Sequence, residues 1–140
     1  MQSKKPIYKK PREPINSFEE STWHANDTPI FENEHCAVFK DLYPCVKGHL
    51  LFIPKKNDPH TISEAYKIGY YCGEQWVKEG RMDGFNIGQN IGAAAGQTIF
   101  WPHIHFIPRK NGDSDGKHNG IRLSHPNGDH KEYYLSLIHI

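Results

Sequence analysis

The sequence predicts an α+β domain built on a five-stranded antiparallel sheet with one main helix. Three observations carry this. Short apolar runs with a two-residue period are joined mostly by connections too short for crossover helices. Only the stretch from Pro59 to Gly80 keeps helical spacing along its length. The chain has 140 residues, the size of one domain with one modest core.

The elements follow in order. Residues 1–27 read as a basic, Pro-rich N-terminal extension. Lys4, Lys5, Lys9, Lys10 and Arg12 are interleaved with Pro6, Pro11 and Pro14, and Trp23 is expected to anchor the extension to the body. Residues 28–140 read as a single domain with a C-terminal loop and tail. Pro29–Glu32 and His35–Asp41 should pair as a hairpin turning at Asn33-Glu34, since Cys36, Val38 and Lys40 alternate with Ala37, Phe39 and Asp41. A turn over Tyr43–Gly48 leads into a third strand, His49–Pro54. Thr61 with Glu64 has the form of a capping box opening the helix, and Ile62, Ala65, Gly69, Cys72, Trp76 and Val77 form its apolar face. Gly80 is its expected stop. Gly84–Asn90 is the fourth strand, Ile91–Gln97 a small-residue loop, and Phe100–Pro108 the fifth strand. Residues 110–129 read as a surface loop and Tyr133–Ile140 as a docked end.

Composition narrows the function. A net charge of +1 favours neither a nucleic-acid groove nor an acidic partner. Cys36, Cys45 and Cys72 are odd in number and form no C-x-x-C pair, which suits a reduced compartment. With no apolar run near the ~20 residues that cross a bilayer, a cytoplasmic protein without membrane contact is expected.

Chemistry concentrates in Gly96–Arg109, GQTIFWPHIHFIPR. His103 and His105 are two apart, so both imidazoles should project from one face while Ile104 and Phe106 enter the core. The preceding AAAGQT loop can bring backbone N–H groups to an anion, with side-chain donors from Gln97 and Thr98. His49, heading a neighbouring strand, can add a third imidazole. A nucleophile of near-neutral pKa beside donors for developing oxyanion charge is what phosphoryl chemistry requires.

The stretch N-I-G-A-A-A-G-Q-T-I-F-W-P-H-I-H-F-I-P-R resembles the histidine-triad (HIT) superfamily, as do F-K-D-L-Y-P-C-V-K-G-H-L-L-F-I-P-K-K upstream and K-N-G-D with N-G-I-R downstream. The last two resemble the bacterial dinucleoside-polyphosphate-hydrolase-like branch, and the likeness covers roughly residues 28–122. It implies a HIT-like fold and a homodimer with a continuous ten-stranded sheet. It also implies nucleotidyl transfer or hydrolysis at an α-phosphate, through a nucleotidyl-histidine on His103. In the same reading His105 and His49 bind phosphate oxygens, and Gln97 and Thr98 lie near the leaving group and the α-phosphate. Asp41 holds ribose hydroxyls, Leu42 and Phe39 line the base pocket, and Asn90 and Gly96 line the phosphate loop. No cofactor or metal is implied, and the partner is a small nucleotide rather than a nucleic acid.

The first triad position departs from the family pattern, being Trp101, a candidate stacking residue or a plain packing one. Its carbonyl could still orient His103, whereas protonation of the leaving group is put in doubt. Two rival readings remain: a nucleotide-holding module without turnover, and a metal site of His49, His103 and His105, against which the lack of a carboxylate at matching spacing counts. Arg109 and Arg122 read as surface charges, and His24, His35, His60, His118, His125, His130 and His139 as bystanders.

Overall fold

The computed structural model describes residues 13–115 and 120–128. Five strands, β1 Phe31–Glu32, β2 Cys36–Lys40, β3 Leu50–Pro54, β4 Gly84–Gly88 and β5 Ile104–Arg109, form one sheet in the order β1-β2-β3-β5-β4. Every pairing is antiparallel. Two helices accompany it: the short α1 Thr22–Asn26 and the 20-residue α2 Pro59–Lys78. No helix among the described residues is long and apolar enough to cross a membrane.

Alternation along the strands sorts their side chains onto two faces. Val38, Leu50, Phe52, Ile104 and Phe106 point towards α2 and pack with Ala65, Trp76 and Phe85. The Phe106 ring stacks on Phe85 at 5.0 Å, and Trp76 meets its edge at 5.4 Å. Ala37, Phe39, Leu51 and Ile53 point the other way and join Trp101, Phe18 and Trp23 in a second core. The end of the expected extension is thus folded: Phe18 and Trp23 are each only 5% exposed. The basic run up to Arg12, His118, His130, His139 and the Tyr133–Ile140 end lie outside the described residues.

Strand ends shift by one or two residues at β1, β2, β3 and β4, and two larger departures from expectation have a physical cause. The helix is capped by Asp58, whose carboxylate accepts from the Thr61 amide at 2.7 Å, and not by Thr61 with Glu64. Pro59 explains this: it suits the first helical position, which leaves Asp58 as the cap. Glu64 pairs instead with Lys67 at 3.2 Å. The fifth strand starts at Ile104 rather than Phe100, because Pro102 has no N–H to give a ladder.

The helix rests on the sheet through small residues. A Cβ at Gly73 would run into the Phe85 ring. Gly73→Ala should therefore destabilise by about 1–3 kcal/mol, although alanine is worth about 1 kcal/mol more than glycine in an exposed helix. Urea unfolding checks this; a raised midpoint would mean that the helix has room to move.

Candidate active site

The site lies on the sheet face opposite α2. Register places Leu51 of β3 opposite His105 of β5, so His49, two residues before Leu51, shares their face. His49 Nε2 and His105 Nδ1 are 2.9 Å apart, and the His103 and His105 rings meet at 5.4 Å. Asp41 follows β2 and reaches the same point. Its Oδ2 is 3.3 Å from His49 Nε2 and 3.8 Å from His105 Nδ1, while its Oδ1 accepts from the Tyr43 amide at 2.8 Å.

Two backbone groups settle which ring nitrogens carry protons. The Trp101 carbonyl can only accept, so His103 Nδ1, 2.8 Å away, carries the hydrogen and Nε2 keeps its lone pair. The Cys45 amide can only donate, so His49 Nδ1, at 3.0 Å, is the bare nitrogen and the His49 proton sits on Nε2. His49 Nε2–H then donates to His105 Nδ1, leaving the His105 proton on Nε2. Among the described residues no fully buried side-chain nitrogen or oxygen lacks a partner, so the remaining His103 Nε2 opens to solvent.

Burial favours neutral rings. It lowers the pKa of His103 from the ordinary 6.5, against the opposing Trp101 hydrogen bond and the Asp41 charge. Burial likewise lowers His49, with Asp41 opposing. His105 falls to about 4 through burial and then through the neighbouring His103 and His49, with Asp41 opposing. A neutral imidazole with an open Nε2 is nucleophilic; a protonated one is not.

His105 and His49 line an open cleft of about 540 Å³ together with Asn86, Asn90, Ile107 and Ile121. Beside it the 92–97 loop turns on Gly92 and Gly96, both at positive φ (89° and 93°), which other residues rarely adopt. Gly96 lies against Asn90, whose amide would be 3.9 Å from a Cβ placed there. Thr98 is exposed after the loop.

Several expected roles change. Gln97 accepts from the Gly92 amide at 2.8 Å and donates to the Ile99 carbonyl at 3.0 Å. It braces the loop and has one amide hydrogen left to offer. The Trp101 indole is 3% exposed and donates to the Pro54 carbonyl at 2.8 Å, so its side chain packs in the core and does not stack on a ligand. Phe39, at 1% exposure, is likewise covered by the second core and unavailable to a base. Leu42 is 66% exposed beside Asp41. Arg109 is held by Asp113 and Asn86, as suits a structural cation.

Sequence reasoning missed three features. Trp23 lays its ring 5.1 Å from His103, the Cys45 amide fixes His49, and Asp41 stands against two imidazoles. No local periodicity signals any of them: Trp23 meets His103 from a distant part of the chain, and the Cys45 and Asp41 contacts to His49 depend on the conformation of the turn between β2 and β3.

The last also corrects the expectation that no carboxylate stands near the imidazoles. Asp41, His49 and His105 offer three donor atoms within 4.8 Å of one another. Tetrahedral zinc, with bonds of about 2.0–2.1 Å, would place ligand atoms about 3.3 Å apart, so the spacing fits. The protons do not: the His49 nitrogen facing the others is the protonated one, and it stays so while Cys45 donates to Nδ1.

Trp101→Phe separates the two functions of that position. Losing the indole hydrogen bond should cost about 1–3 kcal/mol of stability, while the carbonyl, and with it His103, is kept. Thermal unfolding and turnover check the pair; a thousandfold fall in turnover would contradict it.

Known proteins resemble this chain in sequence and fold. The HIT domain model matches residues 23–112. Adenylylsulfatase HINT3 of Arabidopsis thaliana is 39% identical over 60% of this chain, a stretch spanning 46% of that protein, less than half its length. The crystal structure of a zinc-bound histidine triad family protein from Mycobacterium smegmatis has a TM-score of 0.57 and 30% identity, covering 79% of this chain and 85% of that one. That of a hypothetical histidine triad nucleotide-binding protein from Sulfolobus tokodaii has a TM-score of 0.52 and 31% identity, covering 77% and 75%. With its sheet order and a family match over well more than half its length, this chain belongs to the HIT domain family.

Proposed function

We propose that the protein is a nucleotidyl hydrolase or transferase that cleaves at the α-phosphate of a nucleotide conjugate through a nucleotidyl-His103 intermediate. The observation that carries this is the Trp101 carbonyl holding His103 Nδ1–H, which leaves Nε2 as an open lone pair. His105 Nε2–H is placed to donate to a non-bridging phosphate oxygen, and Asn90 on the cleft wall supplies a further donor, whereas the amides of Gly92, Ala95, Gly96 and Gln97 are committed to bonds within the loop. Asp41, beside the exposed Leu42, remains the ribose candidate, with Oδ1 on the Tyr43 amide and Oδ2 turned to the imidazoles. A relative named as an adenylylsulfatase supports a nucleotide joined to an acid as the substrate. The K-N-G-D and N-G-I-R segments favour a dinucleoside polyphosphate within that class.

A homodimer belongs to the same reading. β4 is an edge strand, and Tyr70 and Tyr71 of α2 are 55% and 64% exposed. Light scattering at twice the chain mass is expected.

The test is turnover. Incubated with a dinucleoside polyphosphate or an adenylyl sulfate, the protein should release nucleoside monophosphate in large molar excess over itself. Tight binding without release would leave a nucleotide-holding module of the same fold.

A further inference from the structure

The arrangement that makes His103 a nucleophile also leaves the site poor in protons. Among the described residues lining the cleft, Cys45, His49 and His105 alone carry a dissociable proton, with no lysine, arginine, tyrosine or carboxylic acid beside them. The His103 proton is held on Nδ1 by the Trp101 carbonyl, on the ring nitrogen that does not attack. Trp101, at the first position of the histidine run, has its indole N–H committed to Pro54. His105 Nε2–H could be given away only if Nδ1 took the His49 proton in exchange. His49 in turn would need a proton at Nδ1, and what stands there is the Cys45 peptide N–H, which does not ionise. The relay ends at a backbone amide.

This bears on which bond can break. When His103 Nε2 forms its bond to phosphorus, the bond to the leaving group breaks and the electron pair goes with the leaving atom. Nδ1–H stays on the Trp101 carbonyl, and the nucleotidylated ring carries the positive charge. Water then attacks phosphorus, the P–N pair returns to Nε2, and the water proton passes to solvent. Nothing in this sequence protonates the leaving group. A sulfate, phosphate, polyphosphate or carboxylate departs readily as an anion. An amine or an alkoxide needs a proton as it leaves.

Resting on the nucleotidyl-His103 reading, we propose that this site is selective for mixed anhydrides of a nucleoside monophosphate with a strong acid, and discriminates against phosphoramidates and alkyl esters of the same nucleotide. Burial of the three imidazoles, which keeps them neutral, works in the same direction.

The experiment compares leaving groups on one nucleotide with the full chain at neutral pH. The substrates are adenylyl sulfate, an aliphatic adenosine phosphoramidate, and adenosine 5′-aryl phosphates with phenols of graded acidity. The sulfate anhydride should exceed the phosphoramidate in kcat/KM by at least about 10²-fold, the usual range of a missing general acid. Across the aryl series, rates should fall steeply as the phenol becomes less acidic. Cys45→Ser keeps the amide and removes the thiol, and the same steep slope is expected for it. Equal rates for phosphoramidate and anhydride, or a shallow slope, would overturn the proposal and leave nucleotidyl transfer standing. So would a slope that is shallow with the thiol and steep without it, which would make Cys45 the acid. No release from any substrate and no adduct on His103 would overturn the nucleotidyl-transfer reading itself.

Discussion

His103→Asn is expected to lower kcat/KM by at least about 10⁴-fold, the scale on which removing a covalent nucleophile acts. The substitution isolates chemistry from folding. Asparagine can still donate its amide to the Trp101 carbonyl, which His103 Nδ1 meets at 2.8 Å, and it still fills part of the space against Trp23. Nucleotide affinity should change only a few-fold, because the 92–97 loop, Asn90 and His105 remain. Turnover, nucleotide titration and thermal unfolding on one preparation check all three. A variant that binds and turns over normally would place the nucleophile elsewhere.

Acid should unfold this protein through its imidazoles. The three site histidines have their pKa values lowered in the folded chain, chiefly by burial, and His105 is lowest at about 4. Between the ordinary 6.5 and about 4, the unfolded chain binds protons that folded His105 refuses, so stability is greatest above 6.5 and declines through that window as pH falls. His105 alone should account for about 3 kcal/mol of the decline, its side chain being 28% exposed. Asp113, held near 2 by Arg109, adds its loss only below the ordinary 3.8. Urea midpoints across the window check this, and His105→Gln should remove much of the slope. A midpoint that is flat or rises on acidification would contradict it.

Most strands and the helix were legible because their signals are local. Alternation marks β2, the apolar run LLFIP marks β3, and helical spacing marks α2. The cap was misplaced because two valid signals overlapped, and Asp58 before Pro59 prevailed over Thr61 with Glu64. The second core was not legible, since Phe18 and Trp23 lie in a stretch whose neighbours are polar and Pro-rich, and only the sheet's far face gives them a place. In the site, His49, His103 and His105 could be found from spacing and resemblance. What governs them could not. The order β3-β5-β4 brings His49 to His105 across more than fifty residues, and the Cys45 amide acts through the conformation of a turn. Phe39 and Gln97 occupy positions that the family pattern gives to ligand contacts, and Trp101, which departs from that pattern, reads from sequence as either a stacking or a packing residue. Their own burial and hydrogen bonds turn them to packing and bracing.

The central claim is that His103 Nε2 becomes bonded to phosphorus, and it can be observed directly. The full chain is mixed with equimolar adenylyl sulfate, quenched in base to preserve P–N bonds, digested and weighed peptide by peptide. A mass gain of one adenylyl group on the peptide carrying His103, absent from His103→Asn and lost on longer incubation, is the predicted result. Steady release of nucleotide with no such adduct at any time, or with the adduct on another residue, would contradict it.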